Sequence, residues 1–205
     1  MNSQNLPINW FDFAVIVVLL LGINKGRKHG MSQEMMVCLQ WITIVLAGGF
    51  FYRPVGELLA QTSSVFGKLS CYIAAYIGIG LVVKIIFLLI KKWMGGKLVG
   101  SNIFGRSEYY LGMFAGAIRF TCILLAAVAL LNARYYTPQE INRAVAFQND
   151  VYGSTFFPEL YSVQGGVFKE SLVGKIIKDQ ASFLLIAPTS PENKGIKRQK
   201  DFPLP

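Results

Sequence analysis

Four apolar runs, each close to the length of a bilayer-spanning helix, constrain this chain more than any other feature. They cover residues 10–24 (WFDFAVIVVLLLGIN), 35–52 (MMVCLQWITIVLAGGFFY), 70–90 (SCYIAAYIGIGLVVKIIFLLI) and 109–131 (YYLGMFAGAIRFTCILLAAVALL). A helix crossing a hydrocarbon layer of about 30 Å needs about 20 predominantly apolar residues. The first run is short for that, and a helix continuing through Gly26 supplies the missing length. Buried helices of a soluble domain are the alternative. They would need four such runs inside 205 residues, with nothing left to face water. The pattern therefore predicts an all-α integral membrane protein with four transmembrane helices at about 10–26, 35–52, 70–90 and 109–131. Residues 1–131 form the membrane domain.

The composition agrees. The chain is 53% hydrophobic and 15% charged, whereas a soluble domain carries about a quarter of its residues as charged ones. A secretory signal peptide at the N-terminus is not expected. Residues 1–9 carry no basic side chain, the charges follow the first run, and no A-x-A site comes after it. The first run is read as a retained span.

The net charge of +9 flanks the apolar runs rather than forming a soluble basic face. Up to residue 131 there are eleven Lys and Arg against four acids; beyond it there are nine against seven. No nucleic-acid recognition motif accompanies the charge, so nucleic acid is not an expected partner. Lys25, Arg27 and Lys28 in the first loop, and Lys91, Lys92, Lys97 and Arg106 in the third, face only Arg53 and Lys68 in the second. The excess places the first and third loops in the cytoplasm, with both termini outside. Trp10 and Phe11, Phe50 to Tyr52, and Trp93 stand at run ends, where interfacial aromatic belts belong.

Gly22, Gly26 and Gly30 recur four residues apart, and Gly112 and Gly116 repeat the device, with Gly105 a heptad back. Small residues at this spacing let membrane helices approach closely, and these five are the candidate helix-packing positions. Four ionisable residues lie in or near the spans: Asp12, Glu34, Lys84 and Arg119. Such residues are costly in lipid and mark candidate sites. Lys84 can snorkel toward Lys91. Arg119 lies roughly 15 Å from its cytoplasmic end at 1.5 Å per residue, too deep to snorkel fully. Glu34 enters from the same side and is its candidate partner, as an intramembrane charge pair. Cys38, Cys71 and Cys122 have no metal spacing and read as small apolar residues between helices.

Three segments together resemble the colicin V production protein family of small bacterial inner-membrane proteins. NWFDFAVIVVLLLG is similar to the family's opening of an aromatic, Asp12 and an apolar run. HGMSQEMMVCLQW resembles R-G-F-x-R-E followed seven residues later by Trp, with Gly30, Glu34 and Trp41 in register. SEYYLGMFAGAIRF resembles D-R-x-L-G-x-x-F-G-x-x-R-G, with Leu111, Gly112, Gly116 and Arg119 matching. His29, Gln33, Glu108, Tyr109 and Phe120 depart from that pattern, and the resemblance covers about the first 131 residues. It implies a multi-pass inner-membrane protein serving colicin V production or export and, more loosely, envelope homeostasis.

Residues 132–189 are expected to form an extramembrane, partly helical tail. TPQE at 137–140 is a capping box that starts a short helix through about residue 148. Residues 166–186 alternate apolar and charged positions at helical spacing. Such a helix can lie on the membrane surface or dock on the bundle's rim. Residues 190–205 are proline- and charge-rich, the composition of a disordered end. No catalytic constellation, cofactor motif or metal set is present in the sequence. The expected protein is non-enzymatic, with the lipid bilayer and membrane proteins or further copies of itself as partners. The alternative is a small transporter or channel subunit, with Glu34, Lys84 and Arg119 lining a path.

Overall fold

The computed structural model describes residues 8–62, 67–93, 105–152 and 159–190. Three long apolar helices dominate it: α1 (Trp10–Thr62), α2 (Lys68–Trp93) and α3 (Glu108–Asn132). Each is long and apolar enough to cross a membrane. In α2 only 17% of the most apolar 18-residue window is buried. Leu81, Val82, Ile85, Ile86, Leu88 and Leu89 are all exposed along it, a surface that suits lipid and not water.

The first helix is a hairpin. At 53 residues, a straight α1 would run about 80 Å at 1.5 Å per residue. It breaks at one residue, Gly30, with φ 73° and ψ 169°. That left-handed φ is open to glycine at little cost and strains other residues. Contacts with α3 show the reversal. Gly22 abuts Gly116 and Gly26 abuts Gly112, so the first half runs antiparallel to α3. Glu34 then meets Arg119, Val45 clusters with Cys122, and Tyr52 with Val128 to Ala133, so the second half runs parallel to it.

The order of contacts for α2 is equally clear. Tyr72 fills the notch at Gly56, Tyr76 the notch at Gly48, and Ile44 faces Gly80. The second half of α1 and α2 are therefore antiparallel. Four rods alternate in direction and bring the basic residues Lys25, Arg27, Lys28, Lys91 and Lys92 to one end.

This differs from the sequence expectation in two places, the joining segment and Gly105. The segment joining the first two runs is helical on both sides of Gly30, so no hinge loop separates spans 10–26 and 35–52. Gly30 both turns the chain and continues the contact of Gly22 and Gly26, its Cα and carbonyl carbon lying 2.9 and 2.8 Å from the Cβ position of Gly112. Gly105 sits in the turn Gly105–Ser107 at φ 52°, with nothing within 4 Å of its Cβ position, and takes no part in packing.

The segment after α3 is tied to the opposite end of the bundle. It comprises α4 (Pro138–Tyr152), α5 (Leu160–Gly165), a π turn (Gly166–Glu170), α6 (Leu172–Gln180) and a 3-10 turn (Ser182–Leu184). The capping box is formed: Glu140 N donates to Thr137 Oγ1 at 3.3 Å, and Thr137 N to Glu140 Oε2 at 3.2 Å. Val167, Phe168, Ile177, Leu185 and Ile186 are buried with Phe11, Val15, Tyr52, Val128 and Ala129. Asn132 Nδ2 donates to Ile186 O at 2.9 Å, and Ala187 N to Tyr52 Oη at 3.0 Å. Thr189 N donates to Ala133 O at 2.9 Å, and Tyr135 N to Thr189 O at 3.2 Å. The tail docks on the rim through buried side chains, in place of one long surface helix. Phe11 and Tyr52 accordingly face this core, whereas Trp10, Phe50, Phe51 and Trp93 stay exposed at the run ends. The expected disordered end lies outside the described residues beyond residue 190.

Candidate functional site

Two features meet where the first half of α1 crosses α3. The first is a backbone-to-backbone contact. A Cβ on Gly22 would lie 2.8 Å from the Gly116 carbonyl oxygen, and one on Gly112 2.6 Å from that of Gly26. Cβ atoms on Gly26 and Gly116 would run into the carbonyls of Gly112 and Gly22. At each position a glycine hydrogen points at a carbonyl, the weak Cα–H···O contact that recurs at helix crossings, worth about 0.5–1 kcal/mol. Gly30 closes the same end, its Cβ position 3.0 Å from the Glu108 side chain.

The second feature is ionic. Arg119 Nη1 donates to both carboxylate oxygens of Glu34, at 2.9 and 2.8 Å. Glu34 is 2% exposed and the Arg119 side chain 15%. The guanidinium also lies over the Phe120 ring, 5.4 Å from its centroid. Helical side chains tilt toward the N-terminus, so Arg119 leans toward the start of α3 and the turn carrying Glu34. His29, 44% exposed, places Nδ1 3.0 Å from Glu34 Oε1. The carboxylate thus holds one cation from α3 and one ring from the residue preceding the reversal. A carboxylate taken out of water is costly unless paired and hydrogen-bonded, and this arrangement supplies both.

The other positions distribute as follows. Trp41 packs partly buried against the cluster of Val45, Cys122 and Leu184. Leu111 is exposed on α3. Lys84 is exposed on α2 and is not brought to Glu34 and Arg119. The three cysteines are free and buried. Among the described residues no group of three His, Cys, Asp or Glu is placed to hold a metal ion.

Asp12 belongs to a site that the sequence did not disclose. Its carboxylate is buried and accepts from Ser171 Oγ at 2.7 Å, Val173 N at 2.9 Å, Leu172 N at 3.2 Å and Asn9 N at 2.9 Å. Ser171 in turn accepts from Gly174 N at 3.0 Å and caps α6. Asp12 therefore adds a negative charge to the N-terminus of α6, where the free amides and the helix dipole favour one. Gly174 is required beside it, because a Cβ there would strike the Val167 carbonyl.

Beside the glycine crossing lies an open cleft of about 480 Å³, lined by Leu21, Asn24, Lys25, Lys28 and His29 of α1 and Phe120 of α3.

A family model described as Colicin V production protein matches residues 11–164. The chain belongs to the colicin V production protein family. The match contains both glycine sets, Glu34, Arg119 and Asp12, and it runs past residue 131 through α4 into α5. The family likeness is therefore longer than the motifs alone suggest. It ends before Ser171 and α6, so the partner of Asp12 lies beyond the matched segment. No curated protein and no solved structure matches the chain.

Proposed function

We propose that the chain is a four-span, non-enzymatic protein of the bacterial inner membrane that serves colicin V production or export, and envelope homeostasis, through contacts with membrane proteins or further copies of itself. The match to the colicin V production family over residues 11–164 carries this reading. The hairpin in α1 supports four crossings, because its reversal at Gly30 separates residues 10–26 from residues 35–52, the first two expected spans. With the basic end in the cytoplasm by the positive-inside rule, both termini and the docked tail lie outside.

The two buried carboxylates, Glu34 and Asp12, are bonded within the bundle rather than arranged around a space for substrate. Glu34 is held by Arg119 and His29, and Asp12 by the α6 cap. The transporter alternative needs several charges facing one cavity, and the exposure of Lys84 away from the pair gives it no support. The deciding experiment is purification of the full chain in mild detergent from cells producing colicin V. A stoichiometric membrane partner, or a defined self-assembly, is the expected result. A chain that purifies alone as a monomer and carries a solute flux in proteoliposomes would overturn the reading.

A further inference from the structure

The cleft between the first half of α1 and α3 has the chemistry of a lipid-headgroup site. Leu21, Asn24, Lys25, Lys28 and His29 fall at i, i+3, i+4, i+7 and i+8, a single stripe of one helix face. The stripe changes character along its length. Leu21, nearer the middle of the bundle, is apolar and faces the same cleft as Phe120, which packs against Gly22. Lys25, Lys28 and His29, nearer the Gly30 reversal, are basic and exposed. An apolar floor passing into a cationic mouth within about two helical turns matches a phospholipid, whose chains begin just below its phosphate.

The charge balance selects among headgroups. Glu108 lies against Gly30 and does not line the cleft, and Glu34, beside the mouth, has both oxygens engaged by Arg119 while His29 holds one of them. It is not available to receive the ammonium of a zwitterionic headgroup. His29 meets Glu34 through Nδ1 and also lines the cleft. The volume, about 480 Å³, lies in the ordinary range for small-molecule sites and exceeds what a bare phosphate ion fills.

We propose that this cleft binds an anionic phospholipid, with Lys25 and Lys28 on the phosphate oxygens and Leu21 and Phe120 against the first carbons of an acyl chain. Bound there, the lipid bridges α1 and α3 beside the glycine crossing.

The test uses the full chain in mild detergent, titrated with phosphatidylglycerol or phosphatidylcholine while its melting temperature is followed. Phosphatidylglycerol should raise the melting temperature in a saturable way and phosphatidylcholine should not. A basic side chain near an anionic surface contributes about fivefold in affinity, so Lys25→Gln and Lys28→Gln should each weaken apparent phosphatidylglycerol binding about fivefold, and the double variant about 25-fold. Lys91→Gln/Lys92→Gln, at the same end of the bundle but outside the cleft, should change it less than twofold. The singles keep the test open if the double variant does not fold. Three results would overturn the proposal: wild-type affinity in the Lys25/Lys28 variants, an equal loss in the Lys91/Lys92 control, or equal stabilisation by inorganic phosphate in phosphatidylcholine micelles. The second would mean diffuse surface charge, and the third a site for a free anion.

Discussion

One guanidinium nitrogen of Arg119, Nη1, holds both oxygens of the Glu34 carboxylate, joining α3 to the start of the second half of α1 across 85 residues. Replacing either partner alone leaves the other charge unpaired in a low-dielectric setting, at a cost of about 3–5 kcal/mol, whereas removing both is milder. Glu34→Gln and Arg119→Met should therefore each lower the melting temperature in detergent strongly. The double variant should recover a good part of the loss. Additive losses in the double-mutant cycle would show that the pair is not energetically coupled.

The glycine crossing makes a sharper steric prediction. Gly26→Ala alone should destabilise by about 1–3 kcal/mol or more, because the obstacle is the Gly112 carbonyl, a backbone atom that cannot rotate away. Gly78→Ala is the matched control. Nothing lies within 4 Å of its Cβ position in α2, so it should be neutral or gain about 0.5–1 kcal/mol of helix propensity. Equal effects of the two on thermal stability would remove the argument for close packing.

Much of this arrangement is readable locally. Hydropathy marks the long helices because lipid imposes one rule on every turn of a span. Glu34 and Arg119 stand out because a charge in an apolar run needs a reason. Asp12 stands out equally, yet its partners Ser171 to Val173 are about 160 residues away and nothing near Asp12 points to them. Ser171 reads as one polar position in a helical pattern, whereas the structure breaks the pattern there and makes Ser171 the N-cap of α6. Gly48 and Gly56 were also silent, since each is explained by a tyrosine of α2 seated over it. The Gly30 reversal is hidden for a different reason. Spacing alone places Gly30 in the packed set with Gly22 and Gly26 but does not show that it also turns the chain.

The Asp12 site predicts how firmly the tail is held. Asp12→Ala removes the acceptor for one hydroxyl and two amides of α6, and hydrogen bonds to a charged group contribute about 1.5–3 kcal/mol each. A loss of about 2 kcal/mol in local stability would speed amide exchange at Leu172 and Val173 about 30-fold. Asp12→Asn, which keeps an acceptor but not the charge, should fall between. Exchange unchanged in Asp12→Ala would mean that buried apolar contacts of the tail hold α6 in place without the carboxylate.

Topology can be tested on exposed positions at both ends of the bundle. The three native cysteines are buried, so background labelling should be low. Cysteine replacing Ile8 or Asn149, both exposed, should react with a membrane-impermeant maleimide on intact spheroplasts. Cysteine replacing Lys92 should react only after the membrane is permeabilised. The physical basis is the charge asymmetry: Lys25, Arg27, Lys28, Lys91 and Lys92 share the end with the Gly30 reversal, and translocating such short basic segments is disfavoured. Labelling at position 92 from outside would invert the bundle. Protection of position 149 together with labelling of position 8 would require an odd number of crossings, so α1 could not cross twice as its hairpin requires.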